Sequence, residues 1–176
     1  QKMKHAILIM LLSFSVFNNT EPPVIEKVWE ISEGLDFPES AVYDKETNVL
    51  YVSKYKRFVR NGSSYSDCSI SKVDLNGQIV NKDWIPNLSS PTGLFLKDGL
   101  LYIVERFGIA IYDTENDTMK ARHRIRHDFL INDIALDNEN NIYITEAGNN
   151  TLYRIKENNV TSWIQTDSIG DANGIS

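Results

Sequence analysis

The sequence contains a single cysteine, Cys68, so no internal disulfide can hold the fold together. It also lacks any excess of positive charge: 18 Lys and Arg stand against 24 Asp and Glu, a net charge of −6. Neutralising a phosphate backbone needs a basic stripe, so this balance argues against a nucleic-acid partner. Only five prolines and nine glycines among 176 residues exclude a collagen-like or low-complexity chain. With 41% hydrophobic and 24% charged residues, the composition is that of a globular protein able to form a core. Sustained helical periodicity is missing as well, and long apolar stretches are confined to one place. Residues Ala6 to Phe17 are interrupted only by Ser13 and Ser15 and follow Lys2, Met3 and Lys4. About a dozen apolar residues behind a basic start are too few to span a bilayer and match a signal peptide. The expectation is therefore a signal peptide over residues 1–17 with its native start at Met3 and cleavage near Ser15, a periplasmic or secreted location, and no membrane span. Six N-x-S/T sequons, at Asn18, Asn61, Asn87, Asn116, Asn149 and Asn159, occur in a chain with 17 Asn, and Asn-rich turns account for most of them.

What the sequence does have is an internal repeat. Its first copy is Pro38-Glu39-Ser40-Ala41-Val42-Tyr43-Asp44, a turn, then Leu50-Tyr51-Val52-Ser53. The second is Pro91-Thr92-Gly93-Leu94-Phe95-Leu96, a turn at Lys97-Asp98-Gly99, then Leu101-Tyr102-Ile103-Val104. The third is Ile131-Asn132-Asp133-Ile134-Ala135-Leu136, a turn at 137–141, then Ile142-Tyr143-Ile144-Thr145, and a fourth begins at Ala172-Asn173-Gly174-Ile175. The tyrosines Tyr51, Tyr102 and Tyr143 are 51 and 41 residues apart. Short strands repeating every 40–50 residues or so are the pattern of propeller blades, each a four-stranded antiparallel sheet. Period-2 alternation and turn residues support hairpins in the rest of each unit, and Asn76-Gly77 is the strongest turn signal. A β-sandwich, the alternative all-β arrangement, gives no reason for one motif to return at near-constant spacing. The predicted architecture is all-β: part of a β-propeller, with blade one over about residues 38–86, blade two over 91–127, blade three over 131–165 and the start of blade four at 172–176. Residues 18–176 are expected to form this partial propeller, with Lys56–Asp67 as an extra polar loop in blade one.

In a propeller the innermost strand of every blade lines the central channel, so equivalent positions at the starts of those strands converge. Here they are Glu39, Thr92, Asn132 and Asn173. A carboxylate and side-chain amide oxygens supplied by separate strands form a hard-oxygen set of the kind Ca²⁺ or Mg²⁺ accepts. The structural alternative is that each residue satisfies backbone groups at its strand's start.

Phe37-Pro38-Glu39-Ser40 with Leu50-Tyr51-Val52-Ser53, Asn132-Asp133-Ile134-Ala135 with Ile142-Tyr143-Ile144-Thr145, and Asn173-Gly174 carry a resemblance. From about Val24 to Ser176 the chain resembles the first half of the senescence-marker-protein (regucalcin), gluconolactonase and luciferin-regenerating-enzyme propellers. That resemblance implies a six-bladed β-propeller with a divalent cation at the channel mouth, with Ca²⁺ as first choice and Mg²⁺ or Zn²⁺ as alternatives. Its ligands would be Glu39, Asn132 and Asn173. It further implies hydrolysis of a lactone or other sugar-derived substrate, with a base Asp expected beyond residue 176. Thr92 departs from paraoxonase-like members, which carry a His at that position. A non-catalytic NHL-like propeller binding a sugar or protein partner is the alternative.

Other groupings have simpler explanations. In Arg122-His123-Arg124-Ile125-Arg126-His127, the two histidines would share a strand face about 13 Å apart, too far to chelate one ion, so a solvated outer strand is expected. Asp137-Asn138-Glu139-Asn140-Asn141 echoes a calcium loop but lacks its glycine and its bidentate glutamate, and sits where a hairpin turn is required. Glu105 and Glu146 are expected to cap neighbouring loops, and Cys68 has no assigned role.

Overall fold

A computed structural model describes residues 24–55, 68–126 and 130–176. The N-terminal run, the loop Lys56–Asp67 and His127 lie outside these residues. Three antiparallel sheets of four strands each follow one another in strict sequence order. The first contains β1 (Pro38–Asp44), β2 (Val49–Lys54), β3 (Ser69–Asp74) and β4 (Ile79–Ile85). The second contains β5 (Leu94–Lys97), β6 (Leu100–Glu105), β7 (Gly108–Asp113) and β8 (Thr118–Arg124). The third contains β9 (Leu130–Leu136), β10 (Ile142–Ala147), β11 (Thr151–Lys156) and β12 (Asn159–Gln165). Among the described residues there is no α-helix, only a 3-10 turn at Asp167–Ile169, and no helix is long and apolar enough to cross a membrane. Three consecutive up-and-down sheets are three blades of a β-propeller, the all-β architecture expected from the repeat.

The repeat residues explain the hairpins. Asp44 Oδ1 accepts the backbone N–H of Glu46 at 3.0 Å, and Asp137 Oδ1 accepts those of Glu139 and Asn141 at 2.9 Å each. These are Asx turns, in which a side chain substitutes for backbone in folding the chain back. The repeated tyrosine completes the lock: Tyr51 donates its hydroxyl to Asp44 Oδ2 at 2.8 Å and Tyr143 donates to Asp137 Oδ2 at 3.0 Å. The Asn-rich composition has a related origin, since Asn48, Asn87, Asn140, Asn150 and Asn158 all adopt positive φ. Asn tolerates that left-handed conformation better than most residues. Asn76-Gly77 forms the turn between β3 and β4, with Gly77 at φ 80°.

Period-2 alternation sends successive side chains to opposite faces, and here both faces are apolar because each blade packs on two sides. Tyr51, Ile70 and Trp84 of blade one meet Leu94, Leu101 and Ile103 of blade two. Tyr102, Val104 and Ile109 of blade two meet Ile131, Ile144 and Tyr153 of blade three. The other face of blade one, with Leu50, Val52 and Val73, is covered by Ile31, Trp29 and Leu35 from the segment preceding β1. Trp29 anchors that segment by donating its indole N–H to the Leu75 carbonyl at 2.9 Å. Blades meet along β1 and β5, then along β5, β6 and β9, so the first strands of the three sheets stand side by side.

Candidate functional site

The positions at the starts of β1, β5 and β9 are held by an arrangement that repeats with one variation. Ser40, Gly93 and Asp133 stand opposite Ser53, Val104 and Thr145 on the adjacent strands, and Glu39, Thr92 and Asn132 precede them. In blades one and three the ladder slips here by a β-bulge, between Pro38 and Ala41 and between Ile144 and Glu146. A bulge removes a backbone N–H from its ladder partner. A hydroxyl takes over: Ser53 Oγ accepts from Ser40 N–H at 3.0 Å, and Thr145 Oγ1 accepts from Asp133 N–H at 3.0 Å. The same hydroxyls reach forward to the next repeat, Ser53 donating to the Thr92 carbonyl at 2.7 Å and Thr145 to the Asn173 carbonyl at 3.5 Å.

In blade two Thr92 and Gly93 both oppose Val104 and are held by backbone alone, the Val104 carbonyl accepting Thr92 N–H at 3.0 Å and Val104 N–H donating to the Gly93 carbonyl at 2.9 Å. With no hydroxyl at position 104, Thr92 makes the forward link itself, donating Oγ1–H to the Asn132 carbonyl at 2.7 Å. Gly93 N–H reaches the same carbonyl at 2.8 Å. This contact requires glycine: a Cβ on Gly93 would lie 2.6 Å from Asp133 Cα and 2.8 Å from the Asn132 carbonyl oxygen. Asp133 is also engaged, accepting Ile175 N–H on Oδ2 at 3.0 Å.

Of the four residues expected at the channel mouth, Thr92 and Asn132 are thus joined directly, and Asn173 is tied by its backbone to blade three. Thr92 is buried with its hydroxyl committed to a backbone carbonyl, which is the structural role weighed for it. The side chains of Glu39, Asn132 and Asn173 form no hydrogen bond among the described residues. Their backbones are fixed while their oxygen donors stay available. Glu39 is exposed, yet the atoms packed around the start of β1 strip enough water from its carboxyl to push it above the usual carboxylate range. A carboxylate and two amide oxygens fit a hard divalent cation by donor chemistry. Among the described residues no group of three or more His, Cys, Asp or Glu is placed to hold a metal. Any cation here would therefore depend on the amide oxygens.

The groupings given structural explanations are placed as follows. Glu105 caps the preceding loop, accepting Ser89 N–H at 2.9 Å and pairing with Arg122 at 3.2 Å. Glu146 is fully buried and accepts the Tyr153 hydroxyl at 3.0 Å and the Asn149 amide at 3.3 Å. His123 and its neighbouring arginines lie on β8, the outermost strand of blade two. Asp137 and Asn141 form the β9–β10 turn, and Cys68 is a buried free thiol. The bridging roles of Ser53 and Thr145 and the close approach at Gly93 went unassigned in the sequence. Their signal was the covariation within the repeat: a hydroxyl at the end of the second strand where Ser or Asp starts the first, Val where Gly does.

No protein-family model and no curated protein sequence matches the chain. Its fold is similar to a chain in the solved nidogen/laminin complex, with a TM-score of 0.63, 14% identity, and coverage of 82% of this chain and 53% of that one. It is also similar to virginiamycin B lyase from Staphylococcus aureus, with a TM-score of 0.53, 16% identity, and coverage of 73% and 41%. These neighbours are β-propellers, and the chain spans about half the length of each.

Proposed function

We propose that these residues belong to an exported propeller of the regucalcin and gluconolactonase type that hydrolyses a lactone or related ester, with a divalent cation, Ca²⁺ by preference, held by Glu39, Asn132 and Asn173. The observation that carries this reading is the division of labour at one repeat position. Thr92 spends its hydroxyl on the fold, whereas Glu39, Asn132 and Asn173 keep their side-chain oxygens free, and the backbone carbonyls of Asn132 and Asn173 are hydrogen-bonded to Thr92 and Thr145. Rigid backbones with free donors are what a preorganised site needs. A bound cation would polarise the carbonyl of the substrate and lower the pKa of a water beside it. Glu39 would supply the negative charge of the site, and Asn132 and Asn173 neutral oxygens that complete the cation's coordination.

The second reading is a non-catalytic propeller that binds a sugar or protein partner. It is favoured by Asp133, the acid at the start of β9, whose Oδ2 accepts Ile175 N–H at 3.0 Å and so serves the fold. One experiment separates the two. Metal content and lactone turnover of the full-length protein are measured with and without chelator, alongside Glu39→Gln. Activity lost in both treatments supports the hydrolase; turnover that survives in metal-free Glu39→Gln protein rules out this site as its source.

A further inference from the structure

Blade two carries a feature that blades one and three do not repeat. Its outermost strand, β8, places Lys120, Arg122 and Arg124 at alternate positions, and Arg126 follows at the same spacing. All four are exposed. The period-2 pleat puts those within the strand on one face, about 6–7 Å apart along it. Two are answered inside the blade, Lys120 by Asp113 at 3.0 Å and Arg122 by Glu105 at 3.2 Å. Arg124 and Arg126 have no acid partner among the described residues. Charge on an edge strand commonly serves to stop it pairing with another chain. That purpose does not account for β8, because the other outer strands would need the same protection. β12 has no charged residue, and β4 has one cation beside one anion, Lys82 and Asp83.

An exposed ring stands beside this row. The β6–β7 turn consists of Arg106 and Phe107, and Phe107 is 49% exposed, with the guanidinium groups of Arg106 and Arg124 at 5.4 Å and 5.6 Å from its centroid. The turn is fixed at both residues: Arg106 N–H donates to the Ser89 carbonyl at 2.7 Å, and the Phe107 carbonyl accepts Ile125 N–H at 3.1 Å. Clefts of about 320 Å³ and 520 Å³ share Phe107 and Arg124 as walls. The backbone of β8 is oriented as well. Successive N–H groups of a strand point to opposite sides, so with Ile125 N–H spent inward, those of Arg122 and Arg124 face out from the open edge of the sheet.

We infer that the β8 edge is a docking site for an acidic, extended segment of a partner protein, which adds to blade two as a fifth strand. Its carboxylates would meet Arg124 and Arg126, and an apolar side chain would cover Phe107. Backbone bonds along the edge supply affinity, and the arginines select for acids. A polyanionic glycan or nucleic acid would meet the charges but leave the outward N–H groups unmatched. With a net charge of −6 the chain repels an acidic segment elsewhere, which guides it to this edge. The inference does not rest on Glu39 or on a bound cation.

The test uses the full-length protein and a dye-labelled peptide of about ten residues alternating Glu and Thr, read by fluorescence anisotropy with chelator present. Binding should weaken as salt rises. Arg124→Glu combined with Arg126→Glu should weaken it about tenfold or more without moving the melting temperature, since both side chains are exposed. Hydrogen exchange at the Arg122 and Arg124 amides should slow when the peptide is bound, and the same peptide N-methylated along its backbone should bind much more weakly. Equal binding of the N-methylated peptide overturns strand addition, as does unchanged exchange at those amides. An unchanged affinity in the double variant overturns the role of the arginines. Absence of saturable binding up to about 1 mM peptide, or tighter binding of a polyuronate oligosaccharide of equal charge, overturns the acidic segment as occupant.

Discussion

Replacing Ser53 by Ala removes one oxygen and unpairs two backbone groups at once. Ser53 is fully buried, accepts Ser40 N–H at 3.0 Å and donates to the Thr92 carbonyl at 2.7 Å. The bulge in β1 leaves Ser40 N–H no ladder partner to return to. Leaving a buried donor or acceptor unsatisfied costs roughly 1–3 kcal/mol, so two such groups, one of them only half-buried, come to about 3 kcal/mol. In a domain of this size that should lower the melting temperature by roughly 6–12 °C. Urea denaturation should show the same loss as a shifted midpoint with an unchanged slope, because the surface exposed on unfolding is the same. Thr145 provides the control, since Thr145→Val keeps the shape and loses the hydroxyl while Thr145→Ser does the reverse. Thr145→Ser should cost only about 0.8 kcal/mol for one methyl group, and Thr145→Val clearly more. The reasoning fails if Ser53→Ala lies within about 0.5 kcal/mol of the parent, or if Thr145→Ser proves worse than Thr145→Val.

Further outcomes follow from other contacts. Gly93→Ala should destabilise by about 1–3 kcal/mol in the same denaturation assay, because the new methyl would press on the backbone of Asn132 and Asp133, which cannot rotate away. If a cation is bound, its affinity measured by calorimetry should weaken as pH falls through the raised Glu39 pKa, beginning at a higher pH than for an ordinary carboxylate. Glu39→Gln should weaken that binding by about tenfold or more and flatten its pH dependence. Burial and the Asp44 hydrogen bond push the Tyr51 hydroxyl up to about 12, so ultraviolet titration should find it still protonated at a pH where free tyrosine has ionised. Because the folded value lies above the unfolded one, that hydroxyl's contribution to stability is complete below the ordinary tyrosine pKa and disappears as pH rises towards about 12. Asp44 behaves oppositely. Burial pushes its carboxyl up, but hydrogen bonds from Thr47, Tyr51 and the Glu46 backbone outweigh burial and hold it below the usual range. Its stabilising contribution is present above the unfolded carboxylate pKa and is lost as pH falls through the lowered one, so Asp44→Asn should reduce the acid sensitivity of unfolding.

The blades were legible in the sequence because each is local: alternating apolar residues, an Asp or Asn turn and a tyrosine lie within one stretch of chain and act on one another there. Asp44 with Tyr51 and Asp137 with Tyr143 are contacts between residues six or seven positions apart, and the repeat displays them directly. Glu39, Thr92 and Asn132 could likewise be placed at one repeat position by counting. Counting could not separate their duties. Thr92 became part of the fold because Val104, on a neighbouring strand, lacks the hydroxyl that Ser53 and Thr145 supply. Whether Trp84 and Trp163 are core or surface was equally out of reach, since the two residues occupy matching positions and differ only in whether a blade closes over them. The sequence by itself determined the strands, their turns and the repeat, all of which follow from short-range stereochemistry. Only the tertiary structure decided which hydroxyls and rings join one blade to the next, because those bonds depend on how backbones some 40 residues apart in sequence approach one another.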